Sequence, residues 1–204
     1  MSLVTTDWLE NNISKVKIID CSWHMPLTNR NGFEEYKKYH IQNAIFFDLD
    51  KNSKQNTHLP HMLTDKVSWE NIVSNMGIDN ENEIVIYDNS DVISSCRCWY
   101  NFIYFGHNSK LIHILDGGLK KWIGENKKIT NNLTKETKSN YKANEIKMLV
   151  KNKEEIDENI NKREFEVIDA RSKERFGGKI AEPRKGLRSG SIKNSFCLPF
   201  SNLI

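Results

Sequence analysis

"EIVIYDNSDVISSCRCWYNFIYFG", residues 83–106, decides how the chain is read. Residues 83–88 are a short apolar run of the kind that fills the interior of a parallel sheet. Residues 94–106 read as a buried helix stopped by Gly106. A tight polar loop joins the two. Strand, loop and helix together are a common mount for a nucleophile, because backbone N–H groups at a helix start stabilise an anion. Two thiols, Cys96 and Cys98, lie just past the loop.

The pattern repeats outward. "VKIID" (16–20) is an apolar run ending in aspartate and reads as a central strand. "GFEEYKKYH" is a short polar helix or turn, and "AIFFDLD" (44–50) a second strand. "TDKVSWENIVSNMGI" (64–78) begins on Thr/Asp, spaces Val67, Ile72, Val73 and Met76 as one apolar face, and ends near Gly77. "LIHILDGG" (111–118) is a fourth strand with a glycine turn, and "LKKWIGE" opens another helix. Strands alternating with helices predict an α/β fold, a parallel sheet with helices on both faces. After Trp122 the composition turns polar, and residues 124–147 are expected to form a linker across the surface. Residues 152–165 read as a helix, and "EVIDAR" (166–171) as another strand.

That last strand repeats an earlier one. Ile19-Asp20 leads to "HIQNAIFFD", and Ile168-Asp169 leads a similar distance on to "SIKNSFCLP". The alignment pairs Ile41 with Ile192, Asn43 with Asn194, Ala44 with Ser195 and Phe47 with Leu198. The first copy runs on through further strands and helices to Trp122. By that template the second copy is incomplete at Ile204.

Composition narrows the partners. The 204 residues carry a net charge of only +3, with Lys and Glu interspersed, so no basic stripe marks a nucleic-acid surface. "MSLVTTDWLE" does not read as a signal peptide, and no apolar run approaches a membrane span. The four cysteines form no spaced framework, so free thiols in a cytoplasmic protein are expected.

Nine stretches in order, "IIDCSWHMP", "YHIQNAIFFDLD", "LPHMLT", "IVIYDNS", "CWYNFIYFGH", "ILDGGLKKW", "VIDARSKERFGG", "EPRKGLRSG" and "LPFSNL", resemble the two-domain rhodanese-like sulfurtransferases, specifically the 3-mercaptopyruvate sulfurtransferases. The resemblance implies tandem α/β domains: a catalytically silent first domain over 1–123, the linker 124–147, and a partial second domain over 148–204. It implies a persulfide-forming cysteine at the start of a Cys-Gly-rich loop. That cysteine would take sulfur from a small anionic donor, 3-mercaptopyruvate or thiosulfate, and pass it to cyanide or a thiol. No cofactor or metal is implied. Arg175, followed by Phe176, and Arg184, in "EPR", match the family's donor-binding arginines in identity and spacing.

Asp88 holds the nucleophile's place after the first domain's central strand, and a carboxylate cannot carry a persulfide. Cys96 and Cys98 fall within the helix and are expected as small core residues. Cys197 sits in the strand upstream of the expected loop. The catalytic cysteine is therefore expected beyond Ile204, and this chain alone is expected to be inactive. At "GSIKN", Ser191, Lys193 and Asn194 replace the family's His, Pro and Gly, so a less rigid turn is expected. His58 and His61, in the loop that the resemblance puts near the domain interface, are assigned to structure. The alternative is a non-catalytic rhodanese-like binding module. A cysteine phosphatase is disfavoured because no cysteine has an arginine at the required spacing. A Cys96–Cys98 metal site is disfavoured because a helix points the two thiols to different faces.

Overall fold

The computed structural model describes residues 2–184 and 186–203. The chain divides into two compact units, Met1–Lys147 and Met148–Ile204. In the first unit the elements run β1 (Leu3–Val4), α1 (Thr6–Asn12), β2 (Lys17–Asp20), α2 (Gly32–Lys38), β3 (His40–Ile41), β4 (Ala44–Phe46), α3 (Lys66–Asn75), β5 (Ile84–Tyr87), α4 (Ser94–Tyr104), β6 (Ile112–Leu115), α5 (Gly118–Gly124) and β7 (Ile129–Thr130). The second unit holds α6 (Lys153–Lys162), β8 (Val167–Asp169), α7 (Lys173–Phe176) and β9 (Ser195–Cys197).

The first unit is built on a sheet of order β1-β6-β5-β2-β4, with every pairing parallel. All four residues of β5 are buried, as expected of a strand covered on both faces. Successive side chains of β2 feed two cores. Ile19 packs with Phe47, Trp69, Val73 and Phe102 on the face of α3 and α4. Ile18 packs with Leu9, Tyr36, Leu119 and Trp122 on the face of α1, α2 and α5. The α/β architecture with helices on both faces is as the alternation predicts. One detail of α3 differs. Val67 is 64% exposed, while Trp69 is fully buried and carries the inward face.

Residues 124–147 are more than a surface linker. β7 pairs antiparallel with β3, and Tyr141 is buried. Asn144 N donates to Phe105 O at 2.9 Å, and Ile146 N to Tyr104 O at 2.8 Å. Gly106, at φ +79°, lies under this segment. A Cβ there would sit 2.5 Å from Asn144 O, so glycine is demanded twice, by backbone conformation and by space. Polarity alone hid this packing, because one tyrosine and one alanine supply the buried surface.

The internal repeat is a repeat of hydrogen bonding. Ile18, Ile19 and Asp20 register with Ala44, Ile45 and Phe46, and Val167, Ile168 and Asp169 with Ser195, Phe196 and Cys197. Phe47 N donates to Asp20 O at 2.8 Å, and Leu198 N to Asp169 O at 3.0 Å. Asn43 and Asn194 both adopt φ 65°. Asparagine tolerates this left-handed conformation, so Asn194 keeps the backbone that glycine would supply. Its side chain also donates to Ile160 O at 3.1 Å, tying the turn to α6.

The two units differ in closure. In the first, β2 lies between β4 and β5. In the second, β8 pairs only with β9 among the described residues. Ile168 and Phe196, cross-strand partners on one face, are each 59% exposed. On α6's side, a cleft of about 500 Å³ is lined by Ile156, Asn159, Phe165 and Val167 among others.

The repeated aspartate behaves differently in the two units. Asp20 is buried, accepts from Ser22 N at 2.9 Å, and has its carboxyl pushed up by burial to about 6. In the unfolded chain an aspartate titrates near 3.9, so the folded state holds the proton more tightly. The stability contributed by Asp20 is thus fully present below about pH 4 and is lost as pH rises through about 6. Asp20→Asn should therefore raise stability at pH 7.5, by roughly 3 kcal/mol, and change little at pH 4. Urea midpoints at the two pH values check this. Equal shifts at both would show that charge is not the cause.

Candidate functional site

Asp169, at the end of β8, anchors a ladder of charges. Arg171 turns its guanidinium back onto it, with Nε 3.0 Å from Oδ1 and Nη2 2.6 Å from Oδ2. Arg171 Nη1 donates to Glu182 Oε1 at 2.8 Å, and Nη2 to Gly190 O at 2.7 Å. Glu182 in turn receives Arg175 Nε at 3.2 Å and Nη2 at 2.5 Å. Its side chain is only 4% exposed. Arg175 lies on α7, a single turn whose N-cap Ser172 accepts from Arg175 N.

Electrostatics follow the geometry. The Arg175 guanidinium beside Glu182 holds its carboxyl below the usual glutamate range. Arg171 does the same for Asp169, where the matching Asp20 has no such cation and moves the other way. Arg184 is exposed and makes no hydrogen bond or ion pair among the described residues. Arg175 is thus held, Arg184 is free to reach, and the two flank Glu182 and Pro183.

The two arginines are not equivalent to Arg171. A guanidinium has five N–H donors. Arg171 spends four of them on Asp169, Glu182 and Gly190. Arg175 spends two, both on Glu182. Its Nη1–Nη2 edge keeps the fork that meets a carboxylate or thiosulfonate bidentately. The family resemblance singled out Arg175 and Arg184 and assigned no role to Glu182 or Arg171. Those two enter through turns that bring side chains 7 and 11 residues apart into contact.

The first unit's loop carries its own anion. Asp88 Oδ1 accepts from Ser90 N at 3.0 Å, and Oδ2 from Ser95 N at 2.7 Å. The carboxylate therefore takes N–H groups of the loop and of the α4 start, where no N-cap side chain serves. Ile93, the N-cap residue, adopts φ 49°, a rare conformation for a β-branched side chain. Ser94 Oγ donates to Cys21 O at 2.6 Å and accepts from Trp23 N at 3.1 Å, fixing the loop against the end of β2.

None of the four cysteines sits in such a cradle. Cys21 and Cys98 are fully buried, and burial pushes the Cys21 thiol well up. Cys96 is exposed on α4, but partial burial of its sulfur and then the charge of Asp88 raise its thiol. Cys197 is half-buried in β9 and turns its thiol to Arg171 O at 3.7 Å.

His61, assigned to structure from the sequence, pairs with a carboxylate. His61 Nε2 lies 2.8 Å from Asp50 Oδ1, and Trp23 Nε1 donates to Asp50 Oδ2 at 3.0 Å. The His61 ring meets Trp23 edge-on, 4.8 Å between centroids. A carboxylate-oriented imidazole has the geometry of an acid–base group. His58 is exposed and takes no part.

Known proteins share this fold and sequence. Residues 5–125 match the rhodanese-like domain family. The mitochondrial thiosulfate/3-mercaptopyruvate sulfurtransferase 1 of Arabidopsis thaliana is 35% identical over 98% of this chain and 59% of its own. The 3-mercaptopyruvate sulfurtransferase of Mus musculus is 32% identical, covering 100% of this chain and 70% of its own. The crystal structure of SseA from Escherichia coli, titled as a 3-mercaptopyruvate sulfotransferase, superposes with a TM-score of 0.89 at 26% identity, over 100% of this chain and 77% of that one. The chain spans 59% and 64% of the length of the two Arabidopsis relatives. On sequence and on fold alike, it belongs to the rhodanese-like sulfurtransferases.

Proposed function

We propose that this chain forms the silent domain and the donor-binding part of a sulfurtransferase that moves sulfane sulfur from 3-mercaptopyruvate or thiosulfate to cyanide or a thiol. The observation that carries this reading is the half-engaged guanidinium of Arg175, followed at family spacing by the exposed Arg184. In the reaction a cysteine thiolate attacks the donor's outer sulfur. An S–S bond forms while the donor's C–S or S–S bond breaks, releasing pyruvate, after proton transfer, or sulfite. Attack by the acceptor on the outer sulfur returns the thiolate. The persulfide-bearing cysteine is none of the four in this chain, because none has the cations or N–H groups that such a thiolate needs.

Titration with thiosulfate and with 3-mercaptopropionate, an unreactive stand-in for the donor, tests the arginines. Arg175→Ala should weaken both at least about tenfold, the scale of one lost charge-assisted contact. Arg184→Ala should do likewise. Affinity unchanged by both substitutions would mean that the pair is ordinary surface charge.

The second reading, a non-catalytic rhodanese-like module, is favoured by Asp88 in the nucleophile's place. Donor binding distinguishes the two, since a module of that kind has no need of it.

A further inference from the structure

We propose that Glu182 is a positioning residue for the donor site: it holds Arg175 so that the Nη1–Nη2 edge, and no other, is offered to the donor anion. This rests on Arg175 being a donor ligand. The argument is one of hydrogen-bond inventory. Glu182 takes Nε and one Nη2 proton of Arg175, which fixes the plane of the guanidinium and blocks its Nε side. Glu182 is itself held, because Arg171 also donates to its Oε1 and Arg171 is tied to Asp169 and Gly190. Arg175 is thus braced through two carboxylates to the end of β8.

The first unit supplies a contrast. Arg30, between β2 and β4 as Arg175 is between β8 and β9, forks onto Glu35 with Nε at 2.7 Å and Nη2 at 2.8 Å. Its remaining edge is spent on the chain itself: Nη2 donates to Asn89 O at 3.1 Å, and Nη1 lies 3.7 Å from Asp91. The same carboxylate fork is present in both units, and among the described residues the second leaves the guanidinium edge without a partner.

Positioning and bare electrostatics predict opposite signs. Glu182 is a negative group beside an anion site, so on charge alone its removal tightens anion binding. If it positions Arg175, its removal weakens binding. The wild-type chain, Glu182→Ala and Glu182→Gln are titrated with thiosulfate and 3-mercaptopropionate, and the Arg175 Nε–H resonance is followed by nitrogen-15 NMR. Glu182→Ala should bind about tenfold more weakly and lose the slowly exchanging Nε–H signal. Glu182→Gln keeps an acceptor for Nε and should stay within about threefold of wild type, with the signal retained. Unchanged or tighter binding by Glu182→Ala overturns the role, as does equal loss in the glutamine variant. If the wild-type chain binds neither anion, the donor-site reading fails and this role fails with it.

Discussion

Supplied with thiosulfate or 3-mercaptopyruvate and cyanide, the chain should form thiocyanate no faster than the uncatalysed mixture. A persulfide carrier must be a thiolate near neutral pH, reachable by donor and acceptor, and held by cations or backbone N–H groups. Cys21 and Cys98 fail on reach, since neither exposes any surface. Cys96 fails on charge, because burial and Asp88 both favour its neutral thiol. Cys197 is committed to β9 and to the Arg171 carbonyl. The loop after β5, which has the right N–H groups, is filled by Asp88. Thiocyanate release measured with each Cys→Ser variant decides the matter. Turnover lost with Cys197→Ser would put the nucleophile in β9. Turnover lost with Cys96→Ser would return it to α4.

The second large effect is on stability. Trp69→Ala should destabilise the first unit by about 3–5 kcal/mol, the usual range for removing a buried aromatic side chain. The indole is fully buried, stacks on Phe105 at 4.7 Å, and meets Phe102 edge-on at 5.0 Å and Phe47 at 5.9 Å. It therefore joins α3 and α4 to the end of β4. Whole domains are stable by only about 5–15 kcal/mol, so the variant should be partly unfolded at 37 °C. Urea titration followed by circular dichroism checks this. A loss below about 1 kcal/mol would mean that the three phenylalanines close over the gap, contrary to the cost of such cavities.

Much of this architecture is written in short apolar runs. β2, β5 and β6 are visible because strands buried on both faces need nearly continuous apolar residues, and the Ile-Asp repeat located β8 and β9. What escaped has a physical reason in each case. β1 is two residues long, too short for any periodicity. β7 and Tyr141 hide in a polar segment whose bonds to the first unit are mostly made by its backbone. Val67 satisfied the helical spacing but faces water, while Trp69 and Val73 carry the buried face of α3. At the candidate site, the family resemblance singled out Arg175 and Arg184, but motif spacing is blind to Glu182, the carboxylate that Arg175 contacts. Asp50 and His61 meet across 11 residues of loop, where no regular period operates.

The pairing of β1 sets an order of events during synthesis. Leu3 and Val4 register only with Ile114 and Leu115 of β6. At about 5–20 residues per second, a ribosome delivers that partner several seconds after β1 has been made. β2 can pair with β4 much sooner, so the sheet grows outward from its middle and β1 docks among the last. Until then the β6 side of the sheet lies open. A chaperone that holds the β1 segment would therefore delay the final closure of the first unit rather than the assembly of its centre.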